Sequence, residues 1–304
     1  MSISSLRQIR RRIRSVENTK KITRAMEMAA AAKLRRFQDF LESARPYTEK
    51  LGTLLDELLA ELPPDYRHPY LGESLDNPLT PTLSPATGRG KGERLLVLFT
   101  SDTGLCGTYN GEVEGAAKDW IEKNPDRKAL LIFVGKHGAG SFHHKGNEVL
   151  AAFSDLRVSR VDEILEGLRR NLETVFREGR VDEIQLIYTR MEGPARFHPV
   201  VERILPIERK NRTVPYSAET IIEPDAQTVL DKLIPAFFEA RLRFAFYHAL
   251  LTEQIARMNA MRQATQNAEE MIDELTLLRN KARQAAITKE IIEIVSGSQA
   301  LKLK

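Results

Sequence analysis

From Ala236 to Ser296 the chain contains neither glycine nor proline. Nothing in that run interrupts an α-helix. Roughly sixty residues at 1.5 Å each make a rod of about 90 Å, longer than an α/β domain is wide. The spacing predicts an apolar seam through Leu242, Ala245, Ala249, Thr252, Ile255, Met258, Met261, Ala264, Ala268, Met271, Leu275, Leu278, Ala282 and Ala285, continuing to Ile292 and Val295. Many of these residues are alanine, which lets a second helix approach closely. The first 45 residues are equally free of glycine and proline. There the stripe runs Leu6, Ile9, Ile13, Val16, Thr19, Ile22, Met26, Ala30, Leu34, Phe37, Leu41, and the successive threes from Val16 to Ile22 read as a local stammer. A long amphipathic helix at each terminus predicts an antiparallel coiled coil.

Between the helices the pattern changes. LPPDYRHPYLGESLDNPLTPTLSPATGRGKGE, from Leu62, is too rich in proline and glycine for helix or central strand, and residues 77–92 read as a surface insertion. Short apolar runs follow: LLVLF at 95, ALLIFV at 129, EVLAAF at 148, EIQLIYT at 183 and HPVVERILPI at 198. Helical patterns separate several of them, most clearly VDEILEGLRRNLETVFREG from Val161. That alternation predicts a Rossmann-like, parallel or mixed sheet with helices on its faces. The fold class is therefore α/β plus a long antiparallel helical pair. The boundaries fall at 1–60 for the N-terminal helix, 61–93 for the linker, 94–222 for the α/β domain and 223–304 for the C-terminal helix, with Asp225 as its cap.

The net charge of +4 conceals an asymmetry. Residues 1–36 hold eleven Lys and Arg against Glu17 and Glu27, or +9, which leaves −5 for the remainder. A nucleic-acid arm, a mitochondrial presequence and the cationic start of a long helix all begin this way. The stripe runs on through Glu17, Glu27 and Glu42, unlike a presequence, and the first 36 residues lack the aromatics that stack on bases. No apolar window is long enough to span a membrane.

The loop TSDTGLCGTYN, behind the first apolar run, looks like a place for chemistry and holds the only cysteine, Cys106. It matches neither the Walker phosphate loop nor GxGxxG. A nucleophilic Cys106 would need a neighbouring histidine, and His137, His143, His144 and His198 qualify only as histidines. His143 and His144 lack metal-ligand spacing. A buried structural thiol is the plainer expectation.

Three segments carry a resemblance: SVENTKKITRAMEMAAAAKLRR with ARPYTEKL, then SDTGLCGTYN, then TEQIARMNAMRQATQNAEEMIDELTLLRNKARQAAITKEIIEIVSG. In order, and over nearly the whole chain, they resemble the γ subunit of F-type ATP synthase. The resemblance implies a non-catalytic rotor without a cofactor. Its paired terminal helices form a shaft inside a ring of three α and three β subunits, and its α/β domain forms a foot on the ring of c subunits beside ε. It implies no nucleic-acid partner, and a peripheral place on the cytoplasmic side of a bacterial cell membrane. Arg283 and Gln284 match the pair that meets the acidic catch loop of β, with Thr288 one turn on. Met26, Lys20, Lys21, Arg24 and Lys33 match the segment facing the lower β surface. Ile287, Ile291, Ile292 and Val295, with Leu301, suit a hydrophobic bearing. Asp102, Gly104, Leu105, Cys106 and Gly107 match the foot loop, where Thr103 stands in place of the family's basic residue. A single cysteine departs from the chloroplast form with its regulatory dithiol.

Overall fold

The computed structural model describes residues 3–61, 66–71, 93–125, 128–142, 148–193, 196–208 and 222–302. The segment 77–92 and the pair His143 and His144 lie outside them. The N-terminal helix α1 covers Ile3–Glu61. The α/β elements follow in chain order: β1 (Arg94–Phe99), α2 (Tyr109–Lys123), β2 (Ala129–Val134), α3 (Lys136–Phe142), β3 (Glu148–Phe153), α4 (Val161–Arg177), β4 (Glu183–Gly193) and β5 (Arg196–Leu205). The C-terminal helix α5 covers Ala226–Lys302. Asp225 caps it as the sequence predicts: the Thr228 backbone N–H donates to Asp225 Oδ1 at 2.8 Å and the Thr228 hydroxyl to Oδ2 at 2.7 Å. Both long helices outrun their proline-free stretches, α1 through Pro46 and α5 from before Pro235. The chain divides into two compact units, residues 32–256 and residues 1–31 with 257–304.

In the unit of residues 32–256, the five apolar runs are the five strands, ordered β3-β2-β1-β4-β5. β1 pairs in parallel with β2 and β4, β2 pairs in parallel with β3, and β5 returns antiparallel to β4. β1 and β2 are buried on both faces, which explains why they read as continuous apolar runs rather than alternations. The strand period of two sorts them. Leu95, Val97 and Phe99 join the core made with α4, α1 and α5, whereas Leu96 and Leu98 join Val113, Ala117, Phe133 and Phe142 on the opposite face. α4 buries Val161, Ile164, Leu165, Leu168, Leu172 and Val175, the stripe that its 3.6-residue period dictates. α1 and α5 pack closely here because Gly52 has no side chain: a Cβ at that position would lie 3.2 Å from the Phe237 ring.

In the other unit the ends of α1 and α5 run antiparallel. Lys20 pairs with Glu269, Thr23 with Thr265 and Glu27 with Arg262, so residue numbers fall along one helix as they rise along the other. The seam differs from the expected one. Leu6, Ile9, Ile13, Val16, Lys20, Thr23, Glu27 and Ala30 form the inward row, at alternating steps of three and four with no stammer, and Met26 and Ala31 are half-buried at its flank. Thr19 is exposed, and Ile22 faces outward at 60% exposure while Thr23 is buried at 8%. On α5 the inward residues are Met261, Thr265, Ala268, Ile272, Leu275, Arg279, Ala282 and Ala286; Met271, Leu278 and Ala285 turn outward. The physical reason is geometric: a regular 3.5-residue repeat keeps both helices in contact even where that places polar residues inside.

Candidate functional site

The loop after β1 is built by hydrogen bonds. Asn110 Oδ1 accepts the Ser101 backbone N–H at 2.9 Å, and Asn110 Nδ2 donates to Ser101 Oγ at 2.8 Å and to Cys106 Sγ at 3.4 Å. Asp102 Oδ2 accepts the Leu156 backbone N–H at 2.5 Å, tying the loop to the chain beyond β3. Cys106 is buried at 2% exposure, and its hydrogen-bond neighbours among the described residues are Ser101, Thr103 and Asn110, with no histidine. The thiol is therefore packed as a structural one.

Gly107 takes the left-handed backbone, φ 61°, but Gly104 does not; Leu105 does instead, at φ 63° and 62% exposed. The turn is thus shared between a glycine and a leucine. That conformation costs a residue with a Cβ roughly 1–2 kcal/mol. Leu105→Asn is therefore expected to stabilise the isolated chain by about 1 kcal/mol, since asparagine tolerates this region. Chemical denaturation of the two proteins side by side checks it, and an unchanged midpoint contradicts it.

In an open sheet of this order, a ligand would sit at the carboxyl ends of β1 and β4, where the strand order reverses. Here the chain fills that position itself. Tyr109, 1% exposed, places its hydroxyl 3.2 Å from the Phe99 carbonyl oxygen and 3.3 Å from that of Ala249 on α5, and can donate to either. Cys106, Tyr109 and Ala256 close a small apolar cluster against Phe197. No group of His, Cys, Asp and Glu among the described residues is arranged to hold a metal.

A second polar cluster, absent from the sequence reading, lies on the β4–β5 hairpin. Tyr188 donates to Glu202 Oε2 at 2.6 Å, Arg190 donates to the Tyr188 hydroxyl at 2.7 Å, and Arg241 of α5 pairs with Glu202 Oε1. Burial pushes the Glu202 carboxyl up, but the Tyr188 hydrogen bond and Arg241 outweigh it and hold it below the usual range. His248 beside it is held down by burial and by Arg190. Arg190, Glu202, Arg241 and His248 border a groove of about 700 Å³ that Leu41, Phe244 and Leu251 also line. The only sequence signal was the strand period, which puts Tyr188 and Arg190 on one face.

The residues expected to serve the helical pair fall as follows. Lys20 is bound to Glu269 at 2.9 Å and Arg24 to Glu27 at 2.8 Å. Met26 is half-buried, and Lys21 and Lys33 are exposed. Arg283, Gln284 and Thr288 lie exposed on α5, and the Thr288 hydroxyl donates to the Gln284 carbonyl at 3.0 Å. By the register of the pair, Ile3 falls opposite Ala286, so α5 continues beyond the start of α1. On that continuation Ile287, Ile291, Ile292 and Val295 are each about half exposed, and Ile294 more so. Leu301 is helical, and its side chain is outside those described.

An α/β domain lies between two long terminal helices in the chain, its switch-point crevice closed by one of them, which makes this a rod-bearing α/β architecture. Comparison with known proteins makes this specific. The family model described as ATP synthase matches residues 5–301. The ATP synthase gamma chain of Moorella thermoacetica is 39% identical over 99% of this chain and 100% of that protein. That of Methylibium petroleiphilum is 38% identical over 97% of this chain and 98% of its own length. Among solved structures, a chain of the Euglena gracilis mitochondrial ATP synthase OSCP/F1/c-ring assembly shares the fold with a TM-score of 0.64 at 15% identity, covering 99% of this chain and 95% of that one. A chain of the Tetrahymena thermophila central stalk and c-ring structure gives a TM-score of 0.56 at 18% identity, covering 80% and 99%. The chain belongs to the ATP synthase gamma chain family.

Proposed function

We propose that this chain is the central rotor shaft of a bacterial ATP synthase, itself performing no bond chemistry. Ion flow through a ring of c subunits turns it, and its asymmetric helical pair drives each of three β subunits, set among three α subunits, through binding, synthesis and release of ATP. The α/β domain is the foot beside ε, and its loop Asp102, Gly104, Leu105, Cys106, Gly107 presents the strained Leu105 outward to a neighbour. No helix among the described residues is long and apolar enough to cross a membrane. Attachment at the cytoplasmic face is then through the complex.

One observation carries this reading. Past Ala286 a single helix exposes Ile287, Ile291, Ile292, Ile294 and Val295 on more than one face, too many for one partner helix to cover. An encircling apolar sleeve covers them and still allows sliding. Below the sleeve, the exposed Arg283 and Gln284 are placed to meet a carboxylate loop on β, because arginine offers a charged fork and glutamine both donor and acceptor. The exposed Lys21 and Lys33 are candidates to face acidic loops lower down, as are Lys20, Arg24 and Met26. The test is co-expression with the α and β subunits of the same organism. The expected result is one ATPase-active complex containing this chain; an active hexamer that always excludes it overturns the proposal.

A further inference from the structure

The seam of the helical pair is polar along the stretch from Lys20 to Glu27. Thr23 Oγ1 and Thr265 Oγ1 are 2.8 Å apart and both residues are buried. One hydroxyl donates to the other, and the acceptor donates into its own helix, to Lys20 O at 3.0 Å or Met261 O at 2.8 Å. One turn along, the buried Glu27 accepts from Arg262 Nε of the opposite helix at 3.1 Å and from Arg24 Nη1 of its own at 2.8 Å. On the other side Lys20 meets Glu269 at 2.9 Å. The neighbouring seam residues Ala30 and Ala268 are small and offer little to resist sliding.

We infer that Thr23, Glu27, Arg262 and Thr265, with Lys20 and Glu269, form a shear key that fixes the axial register of the two helices. A heptad seam repeats, so apolar packing alone tolerates a slip of seven residues. The charges do not. In the observed register paired residue numbers sum to 288 or 289. A slip of seven in one direction brings Glu27 against Glu269, and in the other it brings Lys20 against Arg262. Either slip also breaks the Thr23–Thr265 hydrogen bond and takes Arg262 away from the buried Glu27. The key therefore contributes uniqueness of register rather than raw stability, in the way that a buried polar residue specifies alignment in coiled coils. That this register matters for coupling rests on the proposed rotor function; the register lock itself does not.

The experiment uses the full chain with nitroxide labels on Glu17→Cys and Glu274→Cys, both exposed sites in the helical pair, and measures the distance distribution by pulsed electron resonance. The parent should give one narrow population. The variant Thr23→Val, Glu27→Leu, Thr265→Val should melt no earlier than the parent yet show a second population, displaced by up to one heptad, or about 10 Å. Thr23→Ser alone should stay narrow. In the assembled, membrane-reconstituted complex, the triple variant should pump fewer ions per ATP hydrolysed. A single narrow population in the triple variant overturns the lock. A broadened population with an unchanged pumping ratio overturns its positioning role.

Discussion

Replacing Arg283 and Gln284 together by alanine leaves the chain folded and cuts coupled ATP synthesis by about ten- to a hundredfold. Both residues are exposed, and neither side chain forms an ion pair or hydrogen bond among the described residues. The isolated protein therefore loses nothing that holds it together, and alanine is the better helix former. On the proposed rotor reading, what is lost is a charge-assisted contact to a partner carboxylate. Such a hydrogen bond contributes about 1.5–3 kcal/mol, and a contact made only at one stage of the cycle appears in rate at roughly tenfold per 1.4 kcal/mol. Circular dichroism on the free chain and ATP synthesis in energised vesicles separate the two effects. Normal synthesis in the double variant shows that this contact is dispensable.

The two long helices and the five strands were legible because their signals are local: a missing helix breaker, a start at the capping Asp225, an apolar run of strand length. The seam was less legible, and the reason is instructive. Hydrophobicity selects Ile22 over Thr23, and a step of three from Ala268 selects Met271 over Ile272, yet packing geometry turns Ile22 and Met271 outward. A seam read from apolar residues alone acquires a stammer that the backbone does not have. Polar residues at seam positions make sense only once the opposite helix is in view, since Thr23 and Thr265 are separated by 242 residues. The loop after β1 shows the same limit. Nothing in its residue types marks Leu105 as left-handed; that conformation goes with the Asn110 and Asp102 hydrogen bonds around it. Arg283 and Gln284 are indistinguishable from any solvated pair on a helix without the family resemblance. Their chemistry becomes meaningful through a partner that the chain does not contain.

Truncating Phe246 is the substitution with the largest expected effect on the α/β unit. Its ring is fully buried on α5 and meets Phe99 of β1 edge-on, with centroids 5.6 Å apart and planes at 86°. Phe99 in turn lies edge-on to Tyr188 of the adjoining strand β4. α5 is thus keyed into the centre of the sheet rather than laid on its surface. Phe246→Ala removes the transfer energy of the ring and leaves a cavity between β1 and α5, costing about 3–5 kcal/mol. For a unit of this size that corresponds to a fall in Tm of roughly 10 °C. The control Ile22→Ala, at an exposed position of α1, should remain within about 0.5 kcal/mol of the parent. Scanning calorimetry on both variants distinguishes them, and a Phe246→Ala protein melting within a degree or two of the parent refutes the anchor. The size of the loss therefore measures how firmly the sheet holds α5 within this unit.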